Sequence, residues 1–341
     1  MGSPTRPAVR TSSGTRAPAP RARSGSTSAR RPGNQRVSPR IEASTRPSSS
    51  IALNLIQGPG GDDVMNALTG NEVLVVAREE WGADLGLVEG DGAFREIVGP
   101  RLGARERSMH HVSLGAGART VGLTHPGDAV YYIAEGTAVV RAPGGEESGP
   151  LTAGAMVHIA GGSSYSLSSD GGAILLGGPS PVDPGLYDGR SVRSMPGASS
   201  GISVHHQDQP GLMVPFISSD ARLVVWLGSG ARTANMNYVV LEPGERNKEH
   251  VHRYSEDTIH ILEGRGTAED LTHGLRLPVG PGDTVHIKPG TWHAVTADRG
   301  ERVVSVGGPC PADLDMLRAV GVDVDALVGT DDVVVASGEP A

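Results

Sequence analysis

The chain has 341 residues, with 49 Gly, 25 Pro, 3% aromatic side chains and a formal net charge of −8. Its single cysteine, Cys310, excludes a disulfide framework within one chain and any cysteine-rich zinc site, and no apolar run reaches membrane-spanning length. Many glycines and prolines with few aromatics point to short strands and turns, so an all-β protein of two ordinary domains, soluble and cytoplasmic, is expected.

The first predicted element along the chain is a tail. Residues 1–50 carry ten Arg against one acid, Glu42, and almost no large apolar side chains, so they cannot bury enough surface to fold and are expected to be disordered. The remaining 291 residues hold 20 basic and 37 acidic side chains, a net of about −17. So acidic a body argues against nucleic-acid binding, which needs a basic patch. The twin Arg30-Arg31 is followed by polar sequence rather than the apolar core of an export signal.

The next two elements are copies of each other. YIAEGTAVV (132–140) answers HILEGRGTA (260–268), and LTAGAMVHIAGGSSYSL (151–167) answers VGPGDTVHIKPGTWHAV (279–295), both at a spacing of 128. GGPSPVD (177–183) answers GGPCPAD (307–313) at 130. One domain therefore occurs twice, over 71–184 and 201–311, each copy built of short strands between turn signals such as PGG, GPGD and KPGT. The link between them is polar and turn-rich. Residues 312–341 open on ADLDMLRAVGVDVDALV, which predicts one or two short helices packed on the second copy, followed by a tail.

The second copy carries the stretch GERNKEHVHRYSEDTIHILEGRG (244–266). A strand reverses its side chains at every residue, so His250 and His252 face the same way, about 7 Å apart. A helical zinc pair would need i, i+4 spacing, which HVH lacks. With His293 downstream and an acid, Glu256 or Asp257, the group is three imidazoles and one carboxylate. On the inward faces of a small barrel such a set suits a divalent first-row metal in octahedral geometry, with two positions open.

These residues resemble the cupins, and specifically the bicupins, over about 71–311. Gly244, His250, His252 and Gly264 fall on the first cupin motif, G(X)5HXH(X)3,4E(X)6G. Gly282, Gly290 and His293 fall on the second, G(X)5PXG(X)2H, with Lys288 in place of the first proline. The resemblance implies two tandem double-stranded β-helix, or jelly-roll, barrels. It implies one divalent transition metal per chain, Fe2+ or Mn2+ first, with Ni2+, Cu2+ and Zn2+ as other choices. Counting back from Gly264 puts Asp257 at the carboxylate position; counting on from His252, and the family's usual glutamate, favour Glu256. Aligning Gly117 with Gly244 puts Leu123, His125, Ala129 and Tyr165 at the four ligand places of the first copy. Even with Asp128 beside them these are too few ligands, so that barrel is expected to hold no metal.

The ligand set resembles that of cupin dioxygenases and oxalate-processing enzymes. A metal-dependent enzyme of dioxygenase type, acting on a small anionic or enolisable organic molecule, is expected. Alternatives are an isomerase, cyclase or lyase using the same metal, or a non-catalytic small-ligand-binding protein. Glu256 or Asp257, whichever is not committed to the metal, is the candidate to move a proton. Strand alternation turns Lys248 towards the metal, and Arg246 with it where the strand already runs regularly, with Lys288 at the rim; the bland alternative is that both lysines extend to water. Partners are expected to be a small-molecule substrate and a second copy of the chain as a homodimer, with no nucleic acid and no membrane. His158, His260 and His286 read as packed strand residues, His205, His206 and His273 as surface residues, and Cys310 as a small side chain in a turn.

Overall fold

The structure, a computed structural model, describes residues 72–189 and 201–328. The expected disordered stretch 1–50 and the end of the chain from 329 lie outside the described residues. Within them the chain is almost entirely strand and turn, as its glycine, proline and β-branched content predicts. Two short helices, Leu314–Ala319 and Val324–Leu327, follow the last strand where one or two were expected. Among the described residues no helix is long and apolar enough to cross a membrane.

Two jelly-roll barrels result. In the C-terminal one, a seven-stranded sheet has Asp257–Glu263 flanked by Thr284–Ile287 and Val303–Gly307. A three-stranded sheet orders Leu275–Val279, Gly266–Asp270 and His293–Ala297. Their inward apolar positions, among them Leu241, Ile261, Val285, Val295 and Val303, form its core. The N-terminal barrel has its own core around Phe94, Leu123, Tyr131, Tyr165 and Leu175. A third cluster lies between the barrels and draws on both, with Ile97, Met109 and Met156 against Val225, Met236 and Val306.

The strand that opens each copy pairs with the other copy. Val73–Val76 runs antiparallel to Thr284–Ile287, and Ile202–His206 runs antiparallel to Ala155–Ile159. Each barrel's sheet is thus extended by its neighbour's first strand, which covers an edge that would otherwise present unpaired N–H and C=O groups. Two acids add a reciprocal tie. Glu256 accepts hydrogen bonds from the backbone N–H groups of Arg105, Glu106 and Arg107, at 2.9–3.1 Å. Asp128 accepts in the same way from Arg232 and Thr233 of the other half, and from Gly161. The two receiving loops share the sequence Gly-Ala-Arg, at 103–105 and at 230–232.

Candidate metal centre

The segment between Leu241 and Asp257 contains no regular strand; only isolated bridges occur, at Arg246, His250 and Glu256. The expectation of a continuous strand through HVH is corrected here. Gly244, at φ +79°, turns the chain, and His250 is anchored by two backbone hydrogen bonds with His293, of 3.2 and 3.0 Å. His250 and His252 nonetheless face one another, with ring centroids 5.1 Å apart, and His293 lies 4.2 Å from His250.

Asp257 opens the strand Asp257–Glu263, and alternation directs its side chain to the same interior as Ile259 and Ile261. Its Oδ2 lies 3.7 Å from His252 Nε2 and 3.6 Å from His293 Nε2. One ligand atom from each of His250, His252, Asp257 and His293 fits within 4.8 Å of all the others. Glu256 is not brought to this group. It is one residue out of phase with Asp257, so its carboxylate leaves by the opposite face for the 105–107 loop. The glutamate that chemical type favours as ligand is instead a clamp between the barrels.

The three imidazoles are oriented alike. His250 Nδ1 donates to Lys248 O at 2.8 Å, His293 Nδ1 to Thr291 O at 2.9 Å, and His252 Nδ1 to Asp313 Oδ2 at 2.6 Å. Each ring therefore carries its proton on Nδ1 and offers the Nε2 lone pair to the interior. His293 Nε2 and Asp257 Oδ1 are buried with no hydrogen-bond partner. Buried polar atoms left so are uncommon, and these are what a divalent cation held by nitrogen and oxygen donors would satisfy. The residues fit a metal.

The charges agree. Burial, and then the neighbouring imidazoles, lower the pKa of His250 to about 3, keeping it neutral. Burial opposes ionisation of Asp257, but the imidazoles outweigh it and hold the carboxyl at about 2. Burial likewise opposes the charged forms of His252 and Asp313, yet their hydrogen bond leaves the imidazole raised and the carboxyl lowered. Asp313 was not singled out by sequence reading. It ends the GGPCPAD repeat, and besides His252 it accepts from Met316 N at 3.0 Å, capping the helix Leu314–Ala319. Its counterpart Asp183 was the available signal.

A cavity opens beside the group, walled by apolar side chains such as Leu223, Val239, Leu241, Ile259 and Met316. The cations expected near the metal do not line it. Lys248 is exposed on the irregular segment, Arg246 pairs with Glu269 at 2.8 Å and Glu249 at 2.9 Å, and Lys288 stands outside the lining. Alternation failed as a guide to Lys248 because no strand runs there. Cys310 is buried, with Arg107 Nη1 3.1 Å from its sulfur, and also lies outside the cavity. His158, His260 and His286 are buried strand residues, as expected, with hydroxyl partners Ser203, Thr284 and Thr258.

In the N-terminal barrel the corresponding places hold Leu123, His125, Ala129 and Tyr165, all buried. His125 Nδ1 donates to Asp183 Oδ2 at 2.8 Å, so its Nε2 accepts from the Tyr165 hydroxyl at 3.0 Å. Tyr165 in turn accepts from Tyr131 at 2.9 Å. The single imidazole is fully engaged by protein groups.

Residues 237–306, which include the four converging side chains, match the family model of the cupin domain. No curated protein matches the chain by sequence at a significant level. Among solved structures, the fold is similar to an oxalate decarboxylase of Bacillus subtilis with Mn(II) centres, at 15% identity over 71% of this chain and 78% of that one, TM-score 0.52. It is similar to the oxalate decarboxylase of Lactobacillus farciminis in a formate complex, at 14% identity over 74% and 91%, TM-score 0.50. It is also similar to vicilin from hazelnut, Corylus avellana, at 11% identity over 70% and 85%, TM-score 0.51. At these identities the likeness is one of fold. Residues 237–306 are thus similar in sequence to the cupin domain, and the chain shares its fold with these neighbours.

Proposed function

We propose that the C-terminal barrel alone holds one divalent transition metal, Fe2+ or Mn2+ by preference, and that the protein is a metal-dependent oxidoreductase of dioxygenase type. Its substrate is a small organic molecule with an anionic or enolisable oxygen. The observation that carries this reading is the convergence of three Nε2 lone pairs and the Asp257 carboxylate at the wall of an apolar cavity. When bound, the metal would supply a Lewis-acid centre. His250, His252 and His293 hold it, and Asp313 fixes the His252 ring. The apolar walls exclude water and favour entry of dioxygen, itself apolar.

Asp257 is the only carboxylate lining the cavity among the described residues and is committed to the metal, and neither Glu256 nor Lys248 reaches the lining to move a proton there. The neighbouring oxalate decarboxylases support a metal enzyme on this fold and leave the reaction class to experiment. Action in the cytoplasm as a homodimer is part of the same proposal. The test is metal analysis of the purified protein, followed by oxygen uptake with the Fe2+-loaded protein over a panel of small acids and phenols. Uptake lost in His293→Ala supports the reading. Turnover without oxygen uptake would replace it with an isomerase, cyclase or lyase, and ligand binding without turnover by a binding protein.

A further inference from the structure

The lining of the cavity limits what can bind at the centre. Among the described residues, Arg222 is the only cationic side chain on the lining. Its guanidinium is already engaged, 2.7 Å from Asp220 Oδ1 at Nε and 3.2 Å from Oδ2 at Nη2, and it lies over the Tyr238 ring at 5.0 Å. Asn247 is likewise used, its Oδ1 accepting from Val295 N at 2.8 Å. Most of the remaining wall is hydrocarbon, with Val214, Ile217 and Val295 adding to the side chains named above.

Charge balance follows from this arrangement. Three neutral imidazoles and one carboxylate leave a divalent ion with one net positive charge, which one anionic oxygen group neutralises. A second negative charge would sit against hydrocarbon with no counter-ion, and an unpaired buried charge is strongly unfavourable. The free space is narrow, about 60 Å³. At about 10–15 Å³ for each water-sized group, it has room for about four to six methylene-sized groups.

We propose that the ligand of this cavity is a monoanion whose oxygens face His250, His252 and Asp257 and whose slim apolar body of about four to six carbons fills the space lined by Leu223, Val239 and Met316. A short dianion is disfavoured. The proposal rests on the metal reading given under Proposed function, and narrows it to a substrate class. The other polar side chains in the wall are Ser305 and Asn237, the latter with its Oδ1 buried without a partner.

The experiment titrates Co2+-loaded protein with acetate, butanoate, pentanoate, hexanoate and glutarate, reading the change in the cobalt visible spectrum as a Kd. Each methylene from acetate to hexanoate is expected to tighten binding about two- to fourfold, as burial of a CH2 group predicts. Pentanoate should bind at least about thirtyfold more tightly than glutarate, which has the same length and a second carboxylate. In Val239→Phe, or in the milder Val239→Ile if the first does not fold, the gain with chain length should shrink while the Kd of acetate stays within about twofold. Cobalt uptake with flat chain-length dependence, or with glutarate bound as tightly as pentanoate, overturns this inference and leaves the metal reading standing. Failure to take up cobalt overturns both.

Discussion

In the N-terminal barrel, His125 is closed on both sides, by Asp183 at Nδ1 and by the Tyr165 hydroxyl at Nε2. In the C-terminal barrel, His252 has the same kind of aspartate partner, Asp313, but faces two more imidazoles and a carboxylate instead of a phenol. The aspartate that orients the ring occurs in both copies; the groups on the far side of the ring decide what the interior can hold. Where phenols fill the space every polar atom of the chain Asp183, His125, Tyr165 and Tyr131 finds a partner, and the result is a polar plug within a hydrocarbon core. Where imidazoles stand, unpaired lone pairs converge, and a cation is the partner that suits them.

The sharpest way to break this comparison uses the adjacent acids. Asp257→Ala should weaken metal binding more than the 10- to 100-fold that loss of a group behind a ligand costs. Glu256→Ala should leave metal content unchanged and lower the unfolding free energy by about 3 kcal/mol, because three backbone N–H groups of the 105–107 loop lose their acceptor. Metal analysis and urea denaturation of the two variants separate the roles. Loss of metal in Glu256→Ala would put the carboxylate assignment back in question.

The next contrast is between the aspartates behind the rings. Asp313→Asn should lower metal affinity 10- to 100-fold, read by competition with a chromophoric chelator. Asp183→Asn, its counterpart, should leave metal affinity unchanged and cost only stability.

Acid should also unbalance the N-terminal barrel. His110 is buried with its ring between Gly177 O and the Tyr187 hydroxyl, and burial lowers its pKa to about 3 from 6.5. The fold keeps it neutral while the unfolded chain protonates below pH 6.5, so its contribution is intact above that pH and is lost progressively down to about pH 3. At pH 5 the loss is on the order of 2 kcal/mol. Urea midpoints of the parent and of His110→Asn should therefore diverge at pH 7 and converge towards pH 5. Of similar size, Tyr165→Phe should cost about 2 kcal/mol of stability by unpairing His125 and Tyr131, with metal content unchanged.

Much of this was legible in the sequence, for identifiable reasons. The histidines are separated by glycine-bounded spacings, and glycine is required where the chain turns with φ near +80°, as at Gly244 and Gly264. The copy at a spacing of 128 exposed the two barrels, and aligning Gly117 with Gly244 exposed the missing ligands of the first. The choice between Glu256 and Asp257 was not legible, because it depends on how the irregular segment 242–256 enters the strand, and a shift of one residue reverses a side chain. A sequence signal for Glu256 did exist, in the Gly-Ala-Arg pair at 103–105 and 230–232 and in the match of Asp128 to Glu256, but its meaning lies in contacts between the barrels. The cavity wall was out of reach for the same reason. It joins Val239, Ile259 and Val295 from separate strands to Met316 from the helix beyond the barrel.

One barrel should hold the metal and the other not, and metal stoichiometry tests this most directly. Protein saturated with Mn2+, freed of loosely bound ion and analysed by mass spectrometry of the elements should contain about one metal per chain. His293→Ala should abolish it, and His125→Ala should leave it unchanged. Two metals per chain, or one that survives His293→Ala and disappears with His125→Ala, would contradict the account.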